Sequence, residues 1–241
     1  MKWVLVWDLP VRIGHVLMGV GVIAAYGIAR FLGEDHPSFP HHMMIGMALM
    51  VLVGFRTLWG SIGPRPARFE SILSADPIHI VDHLKNFNRP GGTPFAGKNP
   101  LSFLSTLTIL GLIAGLGITG YTTAQGNEQF ESLHPLLANA LAVMVGLHIL
   151  GASHHHWVKR DDTLIAMVHG KKRVDDSHDI GSSRPLAAFA MLLLSVGGYF
   201  SLLWNYDPNT QTTKLPFGNR AIPLGESGHR ESEEHEGLER D

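Results

Sequence analysis

Five stretches of the sequence carry almost no charge over about 20 residues each, the length needed to cross a bilayer core as helix. They are residues 11–31, 41–62, 100–123, 133–157 and 185–204. In hydrocarbon a lone segment can satisfy its backbone N–H and C=O groups only by coiling into a helix. The expected fold is therefore all-α and integral to the membrane. Charged residues make up 17% of the chain, against about 25% in ordinary soluble domains. The start, MKWVLVWDLP, lacks the basic run, apolar core and small-residue site of a cleavable leader, so the first span is expected to stay in place.

Lysine and arginine alternate between the connecting segments. Lys2 and Arg12 stand at the first end, five basic residues in the 63–99 loop and six in 158–184, while the loops 32–40 and 125–131 hold none. By the positive-inside rule the N-terminus is expected to face the cytoplasm, and five spans put the C-terminus on the other side of the membrane. The net charge of −2 gives no argument for nucleic acid. Without cysteine the chain can hold no disulfide, no thioether-attached haem and no cysteine-ligated cluster, whereas histidine is abundant at 15.

The histidines carry the chemistry. Residues 131–157 read ESLHPLLANALAVMVGLHILGASHHHW. His134 and His148 are 14 positions apart on an uncharged helix, so they share nearly one face and sit about 21 Å apart along the axis. Pro135 is tolerated only in a first turn, which puts His134 at the helix start. In the first span Asp8 is the expected N-cap with Pro10 in the first turn; Arg12 and His15 share a face, and Arg30 closes the far end. In the second span His42 has Gly46 one turn on and Arg56 14 residues on, while His41 points about 100° away. The third span has no histidine. Its Gly111, Gly115, Gly117 and Gly120 read as close-packing positions.

Other histidines read as surface features. His79 and His83 fall on a short amphipathic helix in the 63–99 loop, and His154, His155 and His156 form an interfacial run before Trp157. The fifth span, with no acidic, basic or histidine side chain, reads as an added anchor or docking helix. The chain thus divides into a bundle over residues 1–173, a linker and fifth helix over 174–205, and a polar, flexible tail over 206–241 on the side of the membrane opposite the N-terminus.

By depth the four in-membrane histidines form two pairs. His15 and His148 lie toward the cytoplasmic ends of their spans, His42 and His134 toward the outer ends. A haem with two axial imidazoles needs one histidine on each side of its ring, and two such pairs make two stacked b haems. Arg12 and Arg56 at the inner level and Arg30 at the outer are the propionate partners in this reading.

These pieces resemble the bacterial cytochrome b-561 family, which includes the cytochrome b subunits of nickel-iron hydrogenases. The likeness rests on Val6-Trp7-Asp8 with Arg12 and His15, His42-x3-Gly46 with Arg56, Ala67-Arg68-Phe69, Asn99-Pro100-Leu101, Thr119-Gly120, Glu131-x2-His134, His148-Ile149, and Met167-x2-Gly170-Lys171. The resemblance implies a four-helix haem-binding bundle, here with a fifth C-terminal helix, holding two haem b groups on His15 and His148 and on His42 and His134. It implies electron transfer between quinone and a redox partner such as a periplasmic cytochrome c, a nickel-iron hydrogenase or another oxidoreductase. An electron-transfer subunit is expected in preference to a stand-alone enzyme. Two other readings are a quinone-linked superoxide oxidase and, from a different class, a histidine-rich metal transporter or sensor built on His79, His83 and His154 to His156.

Overall fold

The computed structural model describes residues 2–69, 100–158, 162–174, 179–215 and 221–224. Five helices are long and apolar enough to cross a membrane: Leu9–Leu32, Phe39–Ile62, Leu101–Ala124, Leu133–His154 and Pro185–Trp204. The chain is a multi-pass membrane protein. In chain order the elements are β1 (Lys2–Leu5), α1 (Leu9–Gly27, ending in a π turn Ile28–Leu32), α2 (Phe39–Ile62), α3 (Pro100–Ala124), α4 (Leu133–Trp157), α5 (Thr163–His169) and β2 (Lys171–Val174). The fifth span follows as α6 (Pro185–Leu192), a π turn (Leu193–Gly197) and α7 (Gly198–Trp204), and then come β3 (Thr212–Lys214) and β4 (Ala221–Pro223). Asn99 and the proposed surface helix with His79 and His83 lie outside the described residues.

The described residues divide into two compact units. The first comprises Met1–Val16, Val53–Gly111 and Ala140–Met191. Here β1 pairs antiparallel with β2, Lys2 opposite Val174 and Leu5 opposite Lys171. The Gly170 carbonyl accepts the backbone N–H of both Val6 and Trp7, at 2.9 and 3.0 Å. Gly170 caps α5 at a φ of 83°, and a Cβ there would stand 2.7 Å from the Trp7 carbonyl oxygen, so no other residue fits without displacing the strand. Val4, Val6, Trp7, Val11, Ala67 and Ala166 form the core of this unit.

Asp8 starts α1 as an N-cap, its Oδ1 accepting the Val11 N–H at 3.4 Å. It does more than cap. The side chain is fully buried, Trp59 Nε1 donates to Oδ2 at 3.0 Å, and Arg184 stands 3.7 Å away. Arg184 reaches it from a left-handed backbone conformation, φ 51°, that few non-glycine residues adopt. Burial pushes the Asp8 carboxyl above its ordinary range, against the lowering effects of the Trp59 and Val11 hydrogen bonds and the Arg184 and Arg56 charges.

The second unit comprises Leu17–Leu52, Leu112–Asn139 and Leu192–Asp241. Close helix contacts run through its glycines. A Cβ on Gly21 would stand 2.9 Å from Leu49, and one on Gly117 would collide with Met50. The fifth span docks here: Met44, Leu202 and Leu224 are buried together, with Tyr199 and Tyr206 packed against them. Of the stretch expected to be a flexible tail, residues 206–215 and 221–224 are structured instead. Strands β3 and β4 pair antiparallel, Thr213 Oγ1 donates to the Leu202 carbonyl at 2.6 Å, and Leu224 is fully buried. A polar composition had hidden one apolar anchor.

The Asp8 site makes a prediction. Asp8→Ala removes a cap and leaves the Trp59 indole N–H unpaired, so the detergent-solubilised protein should lose about 1–3 kcal/mol of stability. Asp8→Asn keeps an acceptor and should lose less. A carboxyl whose pKa is raised in the folded state makes folding less favourable as pH rises from 3.8 through that higher value. Wild-type thermal stability should fall over that window, and Asp8→Asn should lack that component of the slope. Melting curves against pH for the three proteins check this, and equal slopes would contradict it.

Candidate functional site

Each unit contains one close pair of histidine rings. In the first, His15 on α1 and His148 on α4 have ring centroids 6.2 Å apart, with planes at 50°. In the second, His42 on α2 and His134 on α4 have centroids 6.1 Å apart, with planes at 77°. The helix start at Leu133 puts His134 and Pro135 in the first turn, where the missing proline N–H costs nothing.

The nitrogens of these rings are not equivalent. His42 Nδ1 lies 2.9 Å from the Ala25 carbonyl oxygen of α1. His134 Nδ1 lies 2.9 Å from Thr119 Oγ1, and His148 Nδ1 3.0 Å from Ser105 Oγ, both on α3. Carbonyl oxygen can only accept, so His42 carries its proton on Nδ1 and keeps the Nε2 lone pair as a ligand. Gly120 clears the second pair: a Cβ there would stand 3.0 Å from His134 Cε1.

Such a pair could hold one metal centre between two imidazoles. Two metal–nitrogen bonds of about 2.0 Å, plus about 1 Å from each nitrogen to its ring centre, put opposed centroids about 6 Å apart. Both measured separations fit. The donor set is neutral nitrogen throughout, which suits a b haem with two axial histidines.

The arginines differ among themselves. Arg56 is 7% exposed; its Nη2 donates to the Ala67 carbonyl at 3.1 Å and its guanidinium lies over the Phe69 ring. Arg12 Nη2 donates to the Val168 carbonyl. Arg56 Nη1 and Arg12 Nε are buried without a hydrogen-bond partner among the described residues. Two orphaned cationic donors in the unit that holds His15 and His148 fit an anionic group such as a propionate. Arg30 is different. It stands exposed in the π turn of α1, with no hydrogen bond or ion pair among the described residues.

Other histidines have other places. His41 Nδ1 lies 2.9 Å from the Tyr199 hydroxyl of the fifth span, so of the two adjacent histidines it is His42 that meets His134. Among the described residues no group of three or more His, Asp or Glu side chains could hold a metal ion. His79 and His83 lie outside the described residues, as does the side chain of His155.

Sequence reasoning missed Ser105 and the partnership of Thr119 with His134. A signal was available. Ser105 and Thr119 are 14 apart, as are His134 and His148, and in an antiparallel neighbour that spacing sets a hydroxyl beside each ring.

The sequence profile of prokaryotic cytochrome b561 matches residues 6–170, well over half of the chain. No curated protein and no solved structure matched. The matched range holds both histidine pairs, Arg12, Arg56 and the two α3 hydroxyls, and it stops before the fifth span. With apolar spanning helices, two close imidazole pairs and this match, the chain belongs to the prokaryotic cytochrome b561 family, membrane proteins of haem b electron transfer.

Proposed function

We propose that the protein holds two haem b groups, one between His15 and His148 and one between His42 and His134, and passes electrons between quinone and a redox partner protein. The observation that carries this reading is the pair of centroid separations, 6.2 and 6.1 Å, each spanning what two axial imidazoles on one iron require. Bound haem supplies a one-electron couple that no side chain of this cysteine-free protein offers. The protein's own part is to orient four imidazoles and, at His42, His134 and His148, to tie up Nδ1 so that Nε2 stays available. Arg12 and Arg56 offer unused donors to the propionates of the first group.

The partner is a periplasmic cytochrome c, a nickel-iron hydrogenase or another oxidoreductase, and the quinone lies in the surrounding lipid. Orientation follows the basic loops: the His15 and His148 site faces the cytoplasmic side, and the His42 and His134 site the periplasmic side.

Reduced-minus-oxidised spectra of the purified protein test the reading directly. The wild type should show a b-type signal at two haems per chain. His148→Ala and His134→Ala should each retain one haem, with different midpoint potentials remaining. A wild type without a b-type signal, or either variant at full haem content, would overturn it.

Gly120→Ala is a subtler probe. The added methyl meets His134 Cε1 at 3.0 Å and must shift the ring or α3, an overpacking cost of about 1–3 kcal/mol. Haem retention should fall at the His42 and His134 site and stay intact at the other. Pyridine haemochrome quantification with redox titration of the remaining signal would show which centre is affected.

A further inference from the structure

The third span carries no histidine, yet it touches the imidazoles of both paired histidines on α4, His134 and His148. Ser105 Oγ stands 3.0 Å from His148 Nδ1, and Thr119 Oγ1 stands 2.9 Å from His134 Nδ1. Both hydroxyl residues are buried, at 8% and 4% exposure. In each pair the two residue numbers add to the same sum, since the 14-residue step on α3 matches the 14-residue step on α4.

The polarity of these bonds can be argued. A hydroxyl has one hydrogen to give. Ser105 Oγ has the Ser102 carbonyl at 3.0 Å, and Thr119 Oγ1 has the Gly115 carbonyl at 2.9 Å. Each hydroxyl donates back to its own helix, as serine and threonine in apolar helices do. Its oxygen is then left to accept, so the imidazole must be the donor. His148 and His134 therefore carry the proton on Nδ1 and present the Nε2 lone pair. The Ala25 carbonyl imposes the same tautomer on His42 by independent means.

We propose that Ser105 and Thr119 are positioning residues that hold His148 and His134 in the tautomer fit for iron and set the reduction potential of each centre. This rests on the two-haem reading above. An Nδ1–H that donates to an oxygen makes the opposite nitrogen more basic. A more basic ligand favours the oxidised metal, so each hydroxyl lowers the potential of its own centre. The backbone-tied hydroxyls also fix the ring about its side-chain torsions, because neither oxygen can turn away without losing the bond to its own helix.

The experiment is potentiometric titration of the detergent-purified holoprotein, with haem stoichiometry measured in parallel. Thr119→Val should raise one midpoint and Ser105→Ala the other. Each should change the reduction equilibrium by about three- to tenfold, which at about 59 mV per tenfold for one electron is about 30–60 mV. Thr119→Ser keeps the hydroxyl and should restore the wild-type midpoint. Unchanged midpoints with both haems retained would overturn the proposal while the two-haem reading stands. The proposal also falls if Thr119→Ser shifts as far as Thr119→Val, since the effect would then belong to the methyl group. If Thr119→Val loses its haem, full haem content in Thr119→Ser supports the hydroxyl's role and loss in both overturns it. A wild type with no b-type signal defeats the underlying reading and this inference together.

Discussion

An imidazole has two nitrogens, and in an apolar helix bundle neither can be left to water. That single requirement organises the interior of this protein. Three of the four paired rings give Nδ1 to an oxygen on a neighbouring helix: the Ala25 carbonyl, the Thr119 hydroxyl and the Ser105 hydroxyl. Each bond costs little to keep and about 1–3 kcal/mol to leave unmade. Each also joins two spans, so satisfying the histidines and packing the helices are one problem. α3, without a ligand of its own, is held in register by the needs of α4.

The helices could be read from the sequence because apolar length is a strong local signal, and the histidines because a titratable side chain in such a run stands out. Their grouping by depth needed only helix geometry and an up-and-down chain. What could not be read were features of contact. Serine and threonine are ordinary in membrane helices, so Ser105 and Thr119 carry no mark until a partner is beside them. His41 and His42 differ by about one-third of a helical turn, and only the Tyr199 hydroxyl shows which one is taken by the fifth span. The two-stranded pairings are three or four residues long, too short for periodicity to declare. Asp8 looked like a cap and is also the buried acceptor for Trp59, a link across 51 positions that no local pattern encodes.

The fifth span lies beyond the matched family range but is not loosely attached. It meets α2 through Tyr199, Leu202 and the buried Met44, and the strands after it fold back so that Thr213 and Leu224 close over its end. In the first unit a Cβ on Gly14 would meet Met191 Sδ at 3.2 Å, so the same span lies close against α1. An element with no charged residue has thus been fitted by shape, and its tyrosine reaches the histidine next to a candidate ligand. The family bundle therefore carries an addition that packs beside His15 through Met191 and reaches the neighbour of His42 through Tyr199.

The pairing of β1 with β2 has a further meaning for how the chain is made. Residues 2–5 have their strand partner at 171–174, and Val6 and Trp7 have theirs at Gly170. During synthesis the N-terminal end emerges first and finds that partner only after four spans have been threaded into the bilayer. Until then α1 lacks the clasp that holds its starting end, and Asp8 lacks Arg184. The first unit is closed by the last of its parts to be translated. A chain that stops before residue 170 leaves the starting end of α1 unlatched, so the clasp can form only once the residues that follow the fourth span have been made.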